Sequence, residues 1–275
     1  MTQLRIITTN WRPNLTTEKN SLPKVRSVER AMALLRAFGP AAPRLSLTDL
    51  ARMTNLDKGT TRRLLQTLAA DDFIEFDETT KTYALGPGIL LLFPAVQFGR
   101  DLRDVAAPVL ARLAEQTGAT SFIWTYFDGA ALCVDRVKGP NLHIDTRWSA
   151  IGSRVSLNRS GGPRVLLAYL DPEERSQVLS GSLERHTEFT VTDKIELEAA
   201  AIEIRQRGWE FAVDDYILGM AGLGAPVFNQ KGKVVASVSI TTLTPQFAME
   251  EGRPSVASLV LAAASEIGAR LRPDQ

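Results

Sequence analysis

Residues 46–70 have the sequence SLTDLARMTNLDKGTTRRLLQTLAA, which predicts two short helices joined by a tight turn. Ser46 is placed to cap the first helix while Asp49, three residues later, reaches back to it. The turn is Thr54-Asn55-Leu56, and Asp57 is placed to cap the second helix. Four residues of that second helix recur at helical spacing and are predicted to face inward: Thr61, Leu64, Leu65 and Leu68. This arrangement is typical of a helix-turn-helix.

The outer face of the predicted second helix, residues 57–70, is basic and polar. That face consists of Lys58, Thr60, Arg62, Arg63 and Gln66. A helix that enters the major groove of DNA needs hydrogen-bond donors for base edges and cations for phosphates, and these residues supply both. Because the N-terminal residues of such a helix reach deepest, Thr61 is also nominated as a contact, together with its neighbours.

Two flanking elements complete a winged helix-turn-helix. Upstream, four residues recur at helical spacing until Gly39-Pro40 ends the helix: Val28, Ala31, Leu35 and Phe38. Downstream, residues 73–76 and 82–85 alternate around a polar turn, which indicates a β-hairpin with Lys81 at the exit of the turn. The predicted DNA contacts are Ser46, Lys58, Thr60, Thr61, Arg62, Arg63, Gln66 and Lys81.

Charge is distributed unevenly along the chain. Residues 1–66 contain 12 Lys or Arg against 4 Asp or Glu, whereas the 275-residue chain as a whole has 32 against 31. A basic N-terminal part favours a polyanion as its partner. Residues 1–23 show no sustained period and are predicted to form a flexible leader.

The composition argues against several classes of protein. Cys133 is the single cysteine, which excludes an internal disulfide framework, and two histidines argue against a histidine-rich metal centre. The longest apolar run, residues 89–96, is far shorter than the roughly 20 residues that span a bilayer. The first residues lack the apolar core of a secretory signal. We therefore expect a cytoplasmic protein with no cofactor, no metal and no membrane partner.

The C-terminal part of the chain predicts a domain that mixes helices and strands. Helical patterns cover residues 101–116, 165–170, 172–180, 193–207 and 254–271, and strand patterns cover 121–127, 130–137, 143–148, 154–157, 225–228 and 233–241. Since the two types do not alternate strictly, an α+β fold with helices packed on an antiparallel sheet is favoured. Residues 89–99 predict a linker helix between the two parts.

No catalytic motif is present in the sequence. No Ser, Cys or Thr has a partner at motif spacing, and there is no Walker loop, HExxH or dinucleotide fingerprint. We interpret Ser160-Gly161-Gly162 as a turn, Cys133 as a small buried residue, His143 as structural and Asp214-Asp215 as a solvated loop. The chain is therefore not expected to be an enzyme, and it has no predicted catalytic residues.

These segments resemble the IclR family of bacterial transcriptional regulators over residues 25–272. The N-terminal match comprises SVERA at 27–31, LSLTDLA at 45–51, LDKGTTRRLLQTL at 56–68 and YALGP at 83–87. The C-terminal match comprises RGW at 207–209, residues 215–219 and GAPV at 224–227 with the following strand. The resemblance implies a winged helix-turn-helix joined by a helical linker to a GAF-like α/β effector-binding domain, acting as a homodimer or a dimer of dimers.

The resemblance also implies an effector pocket and a class of ligand. Carried onto this sequence, the effector-binding residues are Gly161, Gly162, Arg164, Gly222, Ser239 and Thr241. Members of the family bind small, often carboxylate-bearing metabolites, so a carboxylate or an aromatic metabolite is implied here. This chain departs from the family at Gly222, where many members have Cys, at Ala212, where many are acidic, and at Gly162-Pro163-Arg164. These departures favour a different or less polar ligand, with Arg164 placed to meet an anion.

Taken together, the observations predict a ligand-responsive transcription factor that represses or activates a catabolic operon. Its partners are a double-stranded DNA operator, a small-molecule effector and a second copy of the chain. The expected organisation is a leader at 1–23, a DNA-binding domain at 24–87, a linker helix at 88–100 and an effector-binding domain at 101–275. Two alternatives stay open: a small-molecule enzyme with a degenerate basic module, and a sensor that has lost DNA binding.

Overall fold

The computed structural model describes residues 25–39, 42–96, 99–140 and 150–271. The chain divides into two compact units between Leu91 and Leu92, a point inside the predicted linker. The predicted leader, residues 1–23, and the strand predicted at 143–148 lie outside the described residues, as does His143. Within the described ranges, no helix is long and apolar enough to cross a membrane.

The N-terminal unit is a winged helix-turn-helix, as the sequence predicted. Its helices are α1 (Arg26–Ala37), α2 (Leu47–Thr54) and α3 (Lys58–Ala70), and its strands are β1 (Leu45–Ser46), β2 (Ile74–Asp77) and β3 (Thr82–Leu85). The strands form an antiparallel sheet in the order β1-β3-β2. The buried core residues are Leu34, Phe38, Leu50, Leu65 and Ile74. The helix-turn-helix is therefore held by side chains from all three helices and from the wing.

Two N-capping side chains and one residue in the left-handed conformation stabilise α2, α3 and the turn between them. The Ser46 hydroxyl accepts the backbone N–H of Asp49, and the Asp57 carboxylate accepts the backbone N–H of Thr60 at 2.8 Å. That hydrogen bond lowers the pKa of Asp57. Asn55 ends α2 with φ of 52°, a conformation that Asn adopts more readily than most residues. Both predicted N-caps are confirmed.

The predicted linker helix is shorter than its pattern suggested. Helix α4 covers only Gly88–Leu92, and a 3₁₀ turn follows at Phe93–Ala95. Pro94 lacks a backbone N–H, so the α-helical hydrogen bond at this position cannot form, and the chain passes from α4 into the 3₁₀ turn here. Gly99 has φ of 68°, outside the helical region, directly before the next helix. The prediction of one helix over 89–99 was wrong for these reasons.

The C-terminal unit is built on a six-stranded antiparallel sheet. Its strands are β4 (Thr120–Phe127), β5 (Ala130–Val137), β6 (Arg154–Val155), β7 (Glu210–Val213), β8 (Met220–Phe228) and β9 (Val234–Leu243), and a two-stranded pair β10 (Met249–Glu250) and β11 (Arg253–Pro254) stands apart. The order of the main sheet is β6-β5-β4-β9-β8-β7. Its helices are α5 (Arg100–Thr117), α6 (Gly161–Tyr169), α7 (Pro172–Ser180), α8 (Lys194–Arg207) and α9 (Ala257–Arg270). The predicted α+β class is confirmed.

Helices cover both faces of this sheet. Alternate residues of β4 face opposite ways: Ile123 packs in one core with Leu110, whereas Phe122 and Trp124 pack in the other with Leu166. The first core lies under α5 and α9, and the second lies under α6, on which α8 packs. The sheet is therefore the middle layer of three, with its apolar side chains shared between two cores.

Cys133 lies in the second core, as the sequence interpretation held. Its side chain is buried between α6 and the sheet residues of that core. Burial raises the pKa of the Cys133 thiol to about 12, because the thiolate is poorly solvated there. The thiol is therefore protonated at neutral pH and serves as a small packing residue.

Glycines bring the start of α6 into backbone contact with β8. A Cβ atom on Gly161 would lie 2.6 Å from the carbonyl oxygen of Gly222. One on Gly224 would lie 2.6 Å from the carbonyl carbon of Gly161. Real side chains do not fit at such distances, so only glycine permits this approach. The contact fixes the N-terminus of α6 over the sheet, beside a cavity.

Candidate DNA interface and effector cavity

Helix α3 presents a continuous basic face to solvent. Lys58, Arg62, Arg63 and Gln66 are exposed, and Thr60 is partly exposed. The first turn of the helix contains no acidic side chain. Donors and cations are therefore available on the outer surface of the helix from Lys58 to Gln66, which is the chemistry that base edges and phosphates require.

Thr61 does not belong to this face. Its side chain is fully buried, and its hydroxyl donates to the Asp57 carbonyl oxygen at 2.9 Å. A buried hydroxyl that is bonded to its own helix cannot reach a base edge. The prediction of Thr61 as a DNA contact was wrong. Thr61 lies near the N-terminus of α3, but its spacing from Leu65 and Leu68 places its side chain on the face of the helix that packs in the core.

Ser46 acts as a cap in this structure. Its hydroxyl accepts the Asp49 N–H at 3.2 Å and donates its only proton to the Asp49 carboxylate at 2.7 Å. The pKa of Asp49 is lowered, chiefly by that hydrogen bond. No proton of the Ser46 side chain is left to donate to DNA, so Ser46 does not fit its predicted role as a DNA contact through its hydroxyl.

Replacing Ser46 by alanine tests the capping role. We expect Ser46→Ala to lower the free energy of unfolding of the N-terminal unit by about 1 kcal/mol, since the Asp49 N–H loses its acceptor. Urea unfolding followed by circular dichroism measures this change. Ser46→Thr, which keeps a hydroxyl that can both accept the Asp49 N–H and donate to the Asp49 carboxylate, serves as the control and should stay close to wild type. Unchanged stability of Ser46→Ala with weaker DNA binding would support the prediction of Ser46 as a DNA contact.

The wing supplies one exposed cation at its tip. Lys81 has φ of 54°, and its ammonium lies 2.7 Å from a Glu78 carboxylate oxygen and over the ring of Phe76. The turn itself is fixed by Asp77, which accepts the backbone N–H groups of Thr79 and Thr80. Because an exposed ion pair such as Lys81–Glu78 is weak, Lys81 can exchange Glu78 for a phosphate at little cost.

In the C-terminal unit, a small cavity lies beside the N-terminus of α6. Its lining comes from the start of α6, the loop after β7, and strands β8 and β9, and consists of Ser160, Asp215, Tyr216, Ile217, Met220, Ala221, Gly222 and Thr241. The free volume is about 10 Å³, which is roughly the room that one water molecule requires. The site is therefore nearly closed in this conformation.

Asp215 is the charged group of the cavity lining. Its side chain is only 5% exposed, and one carboxylate oxygen accepts the backbone N–H of Ser160 at 2.7 Å. Burial raises the pKa of Asp215, and the Ser160 hydrogen bond and the charges of Arg164 and Arg159 oppose that rise. The interpretation of Asp214-Asp215 as a solvated loop was wrong for Asp215, because its carboxylate holds the start of α6.

Ser160 also lines this cavity, and its backbone is strained. Its φ is 58° and its ψ is 155°, a region that residues with a side chain seldom occupy. The Ser160 hydroxyl lies where a Cβ atom on Gly222 would be 2.7 Å away. A side chain at position 222 would therefore push against Ser160 and shrink the cavity, so Gly222 keeps this space open.

A buried arginine lies next to the cavity. Arg159 is 6% exposed, its guanidinium stacks 4.1 Å above the Tyr216 ring, and it contacts the imidazole of His186. Within the described residues, its Nε atom has no hydrogen-bond partner. Burial lowers the pKa of Arg159, and burial together with the charge of Arg159 lowers the pKa of His186. Arg159 therefore holds Tyr216 and His186 in place.

Only two of the six predicted effector residues line the cavity, Gly222 and Thr241. Gly161 is packed against β8, and Gly162 is packed against Trp124, whose indole N–H donates to the Ser239 hydroxyl at 3.0 Å. Gly161, Gly162 and Ser239 therefore do not line the cavity. Ser160 was interpreted as part of a turn, Tyr216 belongs to the matched segment 215–219 but was given no role, and Asp215 was interpreted as part of a solvated loop.

Arg164 forms an ion pair with Glu210 inside the C-terminal unit. One of its guanidinium nitrogens lies 3.0 Å from a carboxylate oxygen of Glu210, and both side chains are almost fully buried. Glu210 also contacts the partly exposed Arg207. The expectation that Arg164 meets an effector anion does not fit this arrangement, since its charge is neutralised inside the protein and it does not line the cavity.

Two family models match this chain. Residues 27–78 match the IclR helix-turn-helix domain, and residues 95–269 match the C-terminal domain of bacterial transcriptional regulators of the IclR type. The first match runs from α1 to strand β2 of the wing, and the second covers the whole six-stranded sheet and its helices up to the last residue of α9.

Known proteins similar to this chain are regulators of the same type. The HTH-type transcriptional regulator BhcR of Paracoccus denitrificans is 30% identical over 252 residues, which cover 90% of this chain and 88% of BhcR. An IclR transcriptional regulator from Alicyclobacillus acidocaldarius has a similar structure, with a TM-score of 0.76, 25% identity, and coverage of 90% of this chain and 99% of that one.

A third similar structure holds a ligand. It is an IclR homologue from Microbacterium hydrocarbonoxydans complexed with 4-hydroxybenzoate, with a TM-score of 0.74, 22% identity, and coverage of 90% of this chain and 99% of that one. At that identity the likeness concerns the fold alone. On the family matches and the identity to BhcR, this chain belongs to the IclR family of ligand-responsive transcriptional regulators, with a helix-turn-helix DNA-binding domain followed by an effector-binding domain.

Proposed function

We propose that α3 of this regulator enters the major groove of its operator through Lys58, Thr60, Arg62, Arg63 and Gln66, with Lys81 of the wing on a flanking phosphate. The observation that carries this proposal is the exposed face of α3, which is basic and free of acid in its first turn. Arg62 and Arg63 supply guanine or phosphate contacts, and Thr60 and Gln66 supply donors and acceptors for base edges.

A second copy of the chain completes the DNA-binding unit in this proposal. In α4, the 3₁₀ turn and the residue after it, five apolar side chains within seven residues are exposed: Leu90, Leu91, Leu92, Phe93 and Val96. Leu90 and Leu91 are 72% and 77% exposed, which is costly for a chain that stays alone in water. A homodimer, or a dimer of dimers, would cover this apolar run and place two recognition helices on two half-sites.

The cavity beside α6 is the effector site in this proposal. Its lining includes Gly222 and Thr241, two residues that the resemblance nominated, and the complex of a relative of the same fold with 4-hydroxybenzoate supports small-molecule binding in this type of domain. An effector must open the nearly closed cavity, so it would favour one arrangement of β8, α6 and the loop after β7 over another. Such a preference is what couples ligand binding to DNA affinity.

The regulator would act in the cytoplasm on a catabolic operon, as a repressor or an activator. An enzyme with a degenerate basic module is disfavoured, because the described residues that line the cavity supply a carboxylate and hydroxyls but no histidine or cysteine. A sensor without DNA binding is disfavoured by the complete basic face of α3.

A fluorescence titration of the full chain against the DNA upstream of its own and adjacent genes tests the proposal. We expect specific binding that falls steeply between two salt concentrations, since neutralised phosphates release counterions. Sedimentation of the same preparation should give a mass of at least two chains of 30.1 kDa each. A folded dimer that selects no DNA, either upstream or from the whole genome, would refute the transcription-factor assignment.

A further inference from the structure

A second, larger cavity lies in the C-terminal unit, between the 3₁₀ turn at Phe93–Ala95, α5 and β5. Its walls come from Phe93 and Val96, residues 132–134, residues 151–152 and Arg103 of α5. The free volume is about 120 Å³. Because an engineered apolar cavity of about 150 Å³ holds benzene, this volume suits a compact ligand of about one ring. Among the described residues, the two cavities share no lining residue.

The walls of this second cavity are apolar apart from one cation. Cys133 and Val134 are buried, whereas Phe93, Val96 and Ile151 are each about half exposed. Among the described residues that line the cavity, Arg103 has the only charged side chain. A ligand with an apolar body would displace water from these walls, which is favourable in proportion to the apolar area removed from solvent.

The Arg103 side chain lacks an anionic partner. It is partly buried, and its guanidinium carbon lies 5.1 Å from the centre of the Phe93 ring, another wall of the cavity. Within the part of the chain that the structure describes, no carboxylate pairs with Arg103 and no acceptor takes a hydrogen bond from its side chain. An aromatic ring replaces only part of the hydration that a cation loses on burial. A carboxylate complements Arg103 better, since a guanidinium can donate to both carboxylate oxygens.

We propose that this cavity is a second small-molecule site, which binds a monocarboxylate with a compact apolar body, its carboxylate on Arg103 and its body against Phe93 and Ile151. The site is separate from the cavity beside α6, and the proposal does not depend on the effector role of that cavity. In the proposed dimer, the second copy covers the outer side of Phe93 and Val96, whereas the ligand contacts the side that faces β5 within one chain.

Ligand-observed NMR titration of the purified full chain tests this site. The carboxylate probes are benzoate and cyclohexanecarboxylate. Benzyl alcohol and benzylamine are the matched neutral and cationic probes, since they also contain a six-membered aromatic ring. The site variants are Arg103→Met, which removes the cation, Arg103→Lys, which keeps it, and Ile151→Ser, which removes apolar surface at a half-exposed position.

Two control variants locate the bound probe. Arg112→Met removes a positive charge from the same helix α5, at an arginine that pairs with Glu266 and does not line the cavity. Gly222→Ala places a methyl group in the cavity beside α6, where a Cβ atom would lie 2.7 Å from the Ser160 hydroxyl oxygen. The first variant therefore controls for net charge, and the second controls for binding in the other cavity.

We expect both carboxylates to bind the wild type, benzyl alcohol to bind about 10-fold more weakly or worse, and benzylamine not to bind. Arg103→Met should weaken benzoate binding by about 10-fold or more, because hydrogen bonds between two charged groups are the strong ones. Arg103→Lys should retain part of the affinity, and Ile151→Ser should lose about 3-fold. Both controls should bind benzoate as the wild type does, and thermal unfolding checks that each variant is folded.

Three results would overturn the proposal: neither carboxylate binds, benzyl alcohol binds as tightly as benzoate, or folded Arg103→Met binds benzoate like the wild type. Loss of benzoate binding in Gly222→Ala, with binding kept in Arg103→Met, would place the ligand in the cavity beside α6 instead. The comparison of benzoate with benzyl alcohol needs only the wild type, so it decides the question even if Arg103→Met is unstable. No DNA is present in this assay, so its outcome is independent of the proposed operator binding.

Discussion

Replacing Arg62 and Arg63 together by alanine is expected to weaken operator binding by about 30-fold or more at physiological salt. Both side chains are exposed on the basic face of α3, where each can contact a guanine edge or a phosphate. A good base contact is worth about 1 to 3 kcal/mol, so the loss of two at the lower end already gives this factor. Fluorescence titration of labelled operator DNA measures the change directly.

The salt dependence of the same titration separates the two kinds of contact. For every phosphate contact that is lost, the slope of log K against log salt should become shallower by about 0.9. Lys194→Ala combined with Arg253→Ala is the matched control, since it removes two exposed positive charges from the C-terminal unit. If the control weakens binding as much as the α3 variant, net charge rather than the face of α3 determines affinity, and our assignment is wrong.

Replacing Arg164 by methionine is expected to lower the free energy of unfolding by about 3 to 5 kcal/mol. The change leaves Glu210 buried with its charge and without its nearest buried partner. Arg207 still contacts Glu210 but is partly exposed, so it compensates only in part. Urea unfolding followed by tryptophan fluorescence measures the loss.

The double variant Arg164→Met with Glu210→Met distinguishes charge from packing. With both charges removed, the interior keeps apolar side chains of similar length, and we expect the double variant to be more stable than Arg164→Met alone. Arg154→Met is the control, because its ion pair with Asp128 at 3.3 Å is exposed and should be worth less than about 1 kcal/mol. A double variant as unstable as the single one would show that packing, not the unpaired charge, causes the loss.

The DNA-binding unit could be predicted from sequence because its signals are local. The cap at Asp57 acts on a residue three positions away, and the apolar residues of α3 recur within two turns. Thr61 was misassigned because position near a helix N-terminus and orientation toward the core are different properties. Strand β1, only two residues long, has no period that a sequence can show, and its pairing with β3 connects residues almost forty positions apart.

The cavity proposed as the effector site could not be predicted in the same way. Its polar groups come from positions 160, 215 and 241, and they meet only after β8 and β9 have paired and α6 has docked on them. Asp214-Asp215 was interpreted as a solvated loop because the group that Asp215 bonds, the backbone N–H of Ser160, lies 55 residues earlier in the chain. Nor does the sequence show that Gly161 and Gly224 are needed for a backbone contact across the layers.

The length of the basic face limits the number of base pairs that one copy of α3 can contact. Lys58, Arg62 and Gln66 follow each other at intervals of four residues, so at 1.5 Å per residue they span about 12 Å along the helix axis. Base pairs are stacked about 3.4 Å apart, so this distance corresponds to roughly three or four of them. A site of that length recurs by chance about once in every 64 to 256 base pairs, far too often to mark one promoter in a genome of millions. Each further copy of α3 with its own half-site multiplies the rarity of the combined target by the same factor.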